Sequence, residues 1–233
     1  MREIKEGAWF VADAHYPHHG DAFERLLDKL SADPSHTPQL FLMGDIFDLL
    51  FGYNRYILRF SQPAIEKLRR VSRLLPVFYV EGNHDFCLKP LFPDIHIFSY
   101  KEQPCYFRYG QKRVALAHGD RFDVPWGYRL YTAWLRRRVT LTLLRPWQRF
   151  IIDHRMRKLS QKRICRTYEG FDTKAARIVS FYRDADMIIE GHFHQGKKTG
   201  RYVSLPSLAC QHAVGVARNG DIDFVPFEKL WDT

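Results

Sequence analysis

Cysteine is scarce in this chain. There are four residues in 233, Cys87, Cys105, Cys165 and Cys210, and no two of them form a C-x-x-C pair. That spacing excludes a zinc knuckle and gives no disulfide framework, so the expectation is reduced thiols in a cytosolic protein. No stretch approaches the roughly 18 uninterrupted apolar residues that a membrane span needs. The opening Met1-Arg2-Glu3-Ile4-Lys5-Glu6 has no apolar signal core and runs into the first strand. There is no internal repeat or low-complexity tract to mark a repeat array or a disordered tail. The residues are 45% apolar and 15% aromatic, which suits a globular domain with an ample core and room for an insertion.

Acidic residues are short in one place. Residues 126–168 hold twelve Lys or Arg against one acid, Asp153, while the rest of the chain holds 24 against 25. The net charge of +10 therefore belongs to this segment, which also carries Trp126, Trp134 and Trp147. Helices are expected over 127–143 and 147–166, separated at Pro146. A basic, tryptophan-rich segment suits three partners. Nucleic acid would place phosphates on Arg and bases on aromatics. A protein could dock there. A phospholipid or nucleotide lipid would put acyl chains on apolar faces and phosphate on basic groups, at a membrane surface.

Five short blocks concentrate metal-ligating side chains: Asp13-Ala14-His15, Gly44-Asp45-Ile46-Phe47-Asp48, Gly82-Asn83-His84-Asp85, His118-Gly119-Asp120 and Gly191-His192-Phe193-His194. Each follows an apolar run, such as Leu40-Phe41-Leu42-Met43 or Val77-Phe78-Tyr79-Val80. A short apolar run ending in a polar cluster reads as a buried strand that meets a surface loop. Ligands in layered α/β folds gather beyond such carboxyl ends. The seven ligands Asp13, His15, Asp45, Asn83, His118, His192 and His194 exceed the four to six or so that one ion takes, which points to two divalent metal ions. Asp, Asn and His without Cys favour Mn, Fe or Zn over a thiolate structural site.

Strands are expected over 8–12, 40–43, 77–81, 95–98, 105–109, 113–117, 202–205, 214–217 and 222–225, with helices over 21–30, 57–74 and 172–182. Asn219-Gly220 is a hairpin signal between the last two strands. The alternation implies an α/β class with two mixed sheets packed face to face under outer helices. The core spans 1–125 and 169–233. Residues 126–168 form an insertion that opens directly from His118 and so lies over the site as a lid.

The order D-x-H, G-D-x-x-D, G-N-H-D, H-G-D, G-H-x-H resembles the calcineurin-like metallophosphoesterases, whose fold is an αββα sandwich. The resemblance implies one ion on Asp13, His15, Asp45 and His194, and a second on Asp45, Asn83, His118 and His192. It also implies a metal-activated water that attacks phosphorus, His84 as the group protonating or stabilising the leaving oxygen, and Asp85 as the group orienting His84. Asp48 is open between supporting a ligand and capping the next helix. His18, His19, His36, His96, His154 and His212 lie outside the blocks and are read as structural.

With its helical insertion after H-G-D, the chain is similar to the UDP-2,3-diacylglucosamine hydrolases. That similarity implies manganese-dependent cleavage of the pyrophosphate in a lipid A precursor, giving UMP and 2,3-diacylglucosamine 1-phosphate. The enzyme would work as a peripheral protein on the inner face of the cytoplasmic membrane. Gly127-Tyr128 matches the start of that family's lid, so Tyr128 is a candidate substrate contact beside Asn83 and His84. Lys162 and Arg166 are candidates from charge and position. His84 stands where the best-known branch has arginine, and unlike arginine it can donate a proton. The alternatives are hydrolysis of nucleic acid or nucleotide phosphoesters, and a non-catalytic scaffold of the same fold, which would be expected to have lost ligands.

Overall fold

Phe10, Phe41 and Phe78 stack in series, with ring centroids 4.6 and 4.8 Å apart, at the middle of the molecule. They sit on three adjacent strands, and strand side chains alternate between faces. Their neighbours Trp9, Val11, Leu40, Leu42, Val77 and Tyr79 therefore face the other way, into a second buried cluster shared with the outer helices. Both faces are covered, so these strands are apolar throughout instead of alternating with polar residues.

The computed structural model describes residues 1–122 and 124–232. Its strands are β1 (Arg2–Glu3), β2 (Trp9–Val11), β3 (Leu40–Leu42), β4 (Leu50–Phe51), β5 (Val77–Val80), β6 (Asp85–Phe86), β7 (His96–Phe98), β8 (Cys105–Tyr109), β9 (Lys112–Ala117), β10 (Met187–Glu190), β11 (Lys197–Thr199), β12 (Tyr202–Ser204), β13 (Ala213–Arg218) and β14 (Asp221–Pro226). Its helices are α1 (Ala22–Ala32), α2 (Arg55–Leu58), α3 (Gln62–Leu74), α4 (Trp126–Leu135), α5 (Arg138–Leu143), α6 (Gln148–Ser160) and α7 (Phe171–Val179).

One sheet runs β14-β13-β2-β3-β5-β7 and the other β1-β8-β9-β10-β12-β11. Their facing sides enclose the phenylalanine stack with Leu116, Ile189 and Val203. The outer side of the first sheet packs on α1 and α3, and that of the second on α7. The result is an αββα sandwich of two mixed sheets. Asn219 and Gly220 close the last hairpin, both at positive φ, as that turn requires. Among the described residues no helix is long and apolar enough to cross a membrane.

Three helices differ from expectation. The stretch 57–74 divides, because Asn54 caps α2 and Pro63, which has no N–H to give, sits in the first turn of α3. The stretch 127–143 breaks at Arg136, whose carbonyl accepts a bond from the Cys87 thiol instead of a helical N–H. The helix expected over 147–166 ends at Ser160. The expectation of reduced thiols is corrected as well: Cys165 and Cys210 form a disulfide, with Cα atoms 5.4 Å apart, and Cys87 and Cys105 stay free. The pair is 45 residues apart in sequence and meets only because the chain beyond α6 returns across the loop after β12.

Candidate metal centre

The blocks meet because β2, β3 and β5 run parallel in one sheet while β9 and β10 run parallel in the other. Their carboxyl ends open on one side of the sandwich. Asp13 and His15 follow β2, Asp45 follows β3, and Asn83 and His84 follow β5. His118 follows β9, and His192 and His194 follow β10. Five of these side chains, Asp13, His15, Asp45, His192 and His194, hang from left-handed backbone with φ between 48° and 63°. Non-glycine residues seldom adopt that conformation, and it collects at functional sites. The glycines beside them allow the close approach. A Cβ on Gly44 would strike the His118 ring, and one on Gly82 would strike the Asp45 carboxylate.

Two groups result. Asp13, His15 and His194 each offer a ligand atom within 4.8 Å of the others, and Asp45, His118 and His192 do the same. In the second group His118 Nε2 is 3.4 Å from Asp45 Oδ2 and 3.2 Å from both Asn83 Oδ1 and His192 Nδ1. In the first, His194 Nε2 is 3.2 Å from Asp13 Oδ1, and the His15 and His194 rings lie 5.3 Å apart. Asp45 feels His118, His84 and His15 together, and they hold its pKa well below the carboxylate range despite the opposing cost of burial.

The donor set fits divalent ions. His118 donates from Nδ1 to the Met43 carbonyl at 2.9 Å, which points Nε2 inward, where it can ligate an ion once its own proton is displaced. Both ring nitrogens of His15 are buried without a hydrogen-bond partner, and a ligand role accounts for such an atom. Burial, with His118 nearby, holds His192 down to about 4, so its ring is neutral and free to ligate. The calcineurin-like phosphoesterase family model matches residues 8–196, which takes in every one of these blocks.

The chain belongs to the calcineurin-like phosphoesterase family.

Among relatives of this phosphoesterase, a UDP-2,3-diacylglucosamine hydrolase from Bordetella parapertussis is 25% identical over 226 residues, 88% of this chain and 86% of that one. The hydrolase of the same name from Shewanella oneidensis is 27% identical over 227 residues, covering 89% and 91%. That of Chromohalobacter salexigens is 33% identical over 113 residues, covering only 47% of this chain and 45% of its own. The phosphoesterase is a metal-dependent phosphoester hydrolase.

Asp85 is placed otherwise than expected. Its carboxylate does not touch His84. It accepts from the backbone N–H of Asp45, Ile46, Phe47 and Gly82 and from the Tyr79 hydroxyl. Asp85 thus anchors the Asp45 loop, and burial together with the Asp45 charge pushes its pKa up to about 7. His84 is oriented instead by the Asp48 carbonyl, which accepts from Nδ1 at 2.7 Å, so Nε2 is left facing Asp45 at 4.0 Å.

Asp48 caps no helix. Its buried carboxylate lies 3.5 Å from His15 Nδ1 and 2.8 Å from His18 Nδ1, with His19 at 3.8 Å. His18 and His19 therefore belong to the surroundings of the centre. A Tyr-Pro-His-His run two residues after Ala14 was the only hint of that in the sequence. Gln103, which donates to Glu81 O and accepts from the His118 N–H, was equally hidden.

A cavity of about 700 Å³ adjoins Asn83 and His84 and is roofed by α4–α6. Tyr128 and Lys162 line it. Arg166 lies outside its wall; the Arg166 side chain is exposed and its carbonyl accepts from Gln195.

Proposed function

We propose that the chain hydrolyses the pyrophosphate of UDP-2,3-diacylglucosamine, giving UMP and 2,3-diacylglucosamine 1-phosphate, with two manganese ions. In this reading Asp13, His15, Asp45 and His194 hold one ion, and Asp45, Asn83, His118 and His192 hold the other. Residues 126–168 serve as the lid. The carrying observation is the cavity. Its wall is chiefly apolar, with Leu49, Phe51, Phe86, Leu135, Leu141 and Ile152, and its rim holds Arg155, Lys158 and Lys162 beside Asn83 and His84. Apolar wall next to phosphate chemistry suits a substrate with acyl chains on one side and a pyrophosphate on the other. The names of the relatives agree with this reading.

Divalent ions bound there would neutralise phosphate charge and lower the pKa of an attacking water. The residues supply the rest. His84, held through Nδ1, presents Nε2 to the leaving oxygen. Burial keeps its pKa below the ordinary histidine value, so the ring is neutral until a phosphate draws a proton onto it. Tyr128 and Lys162 face the bound substrate from the lid.

The outer side of the segment is apolar and basic. Trp126, Trp147 and Phe150 are 74%, 62% and 76% exposed among its arginines, which suits a peripheral enzyme on an anionic membrane face.

The test is UMP release from UDP-2,3-diacylglucosamine in manganese, with Asp45→Ala and His118→Ala as controls. Release by the wild type and its loss in both variants is expected. An intact substrate alongside cleavage of a generic phosphodiester would sink the substrate assignment, and steeply salt-dependent degradation of single-stranded DNA would move it to nucleic acid.

A further inference from the structure

Arg136, the residue at which α4 ends, runs from the roofing segment to two of the ligand loops. Its side chain is only 10% exposed. Nη2 donates to the Gly82 carbonyl at 2.9 Å and to the Asp120 carboxylate at 3.3 Å. The guanidinium lies 4.3 Å from the Tyr100 ring centroid and 5.5 Å from that of Phe86. The Arg136 carbonyl is held by the Cys87 thiol at 3.2 Å, so backbone and side chain are both fixed to the same loop.

The partners matter because of what they adjoin. The Gly82 carbonyl belongs to the peptide that leads into Asn83, and the other end of Gly82 is pinned by Asp85 at 2.9 Å. Arg136 thus fixes the plane from which Asn83 and His84 project. Asp120 is fully buried two residues after His118, and its charge acts on both His118 and His192. A buried carboxylate needs a partner charge, and Arg136 provides it. Arg136 Nε and Asp120 Oδ1 are both buried without a hydrogen-bond partner, so the pair is held by one shared nitrogen. Among the described residues no other side chain hydrogen-bonds the Asp120 carboxylate.

We propose that Arg136 is a positioning residue for the hydrolysis: it sets the Gly82–Asn83 peptide and neutralises Asp120, so that seating of the α4–α6 segment and assembly of the Asn83–His118–His192 side of the centre are one event. The proposal rests on the ligand assignment above, which is tested separately by whether His118→Ala abolishes manganese binding at that side.

The experiment uses the full chain, manganese, and the soluble diester bis(4-nitrophenyl) phosphate, which needs no acyl pocket. Arg136→Met is expected to lower kcat about 10–100-fold with KM little changed, and to weaken one of the two manganese sites by a comparable factor in a direct metal titration. Arg136→Lys keeps the charge without the fork and is expected to fall between. A folded Arg136→Met with wild-type kcat and a wild-type titration overturns the proposal and leaves Arg136 as a tether of the roof, felt only in KM for a lipid-linked substrate. If the methionine variant does not fold, the lysine variant decides. Reduced kcat with one weakened manganese site supports the role, and wild-type values for both overturn it.

Discussion

His118 shares its inner nitrogen with Asp45, Asn83 and His192, and what it does there depends on pH. Burial opposes charge on the ring, but Asp45 and Asp120 outweigh it, so the metal-free protein holds a proton on His118 well above the usual histidine range. A divalent ion must displace that proton. Manganese affinity is therefore expected to fall as pH drops, with protons released on binding at neutral pH. Calorimetry in two buffers of different ionisation heat measures this directly, and identical heats in both would contradict it. Glu190 is the second residue with a pH signature. It is buried against the Tyr182 and Tyr202 hydroxyls, and burial raises its pKa to about 7. Below about pH 4.5 it is protonated folded or unfolded. Between 4.5 and 7 the folded state keeps a proton that the unfolded state releases, so this group makes stability fall as pH rises through that window. The full effect is on the order of 3 kcal/mol. Denaturant unfolding of Glu190→Gln at pH 5 and pH 8 should show a flatter pH dependence than the wild type by about that amount.

At the level of elements, the strand ends could be read from the sequence while the connections between distant segments could not. Apolar runs such as Val77-Phe78-Tyr79-Val80 announce buried strands, and Gly44 and Gly82 announce tight approach at their ends. Both signals are local, so they survive in a single sequence. The break at Arg136 and the Cys165–Cys210 pair are set by contacts with distant residues. Asp85 was misassigned for the same reason, because its partners are backbone groups of another loop and Tyr79. The disulfide closes a separation of 45 residues and ties the stretch after α6 to the loop after β12, where Cys210 lies 3.8 Å from His194. Cys165→Ser is expected to lower the unfolding free energy by about 2–4 kcal/mol. It should also open Lys162 and Arg163, on the exposed irregular stretch after α6, to trypsin. Unchanged stability and unchanged cleavage would show that the tether carries no weight.

The whole molecule joins a neutral core to one strongly basic segment. The core supplies the ligands, all at the carboxyl ends of two parallel strand sets, and that much was legible because each set is a run of apolar residues ending in Asp, Asn or His. The segment supplies the cavity, and its chemistry was legible only as charge and tryptophan; which residues line it depends on how α4–α6 pack. In the proposed function this cavity reads acyl chains while the centre beneath it cleaves a pyrophosphate. Each buried methylene contributes about 0.8 kcal/mol, so chains seated in the cavity should raise kcat/KM by at least about 100-fold. The most direct measurement compares kcat/KM for UDP-2,3-diacylglucosamine with that for its fully deacylated counterpart, in manganese. A preference of that size for the acylated substrate is expected, reduced when Leu141 or Ile152 is replaced by a polar residue. Equal values for the two substrates would contradict it.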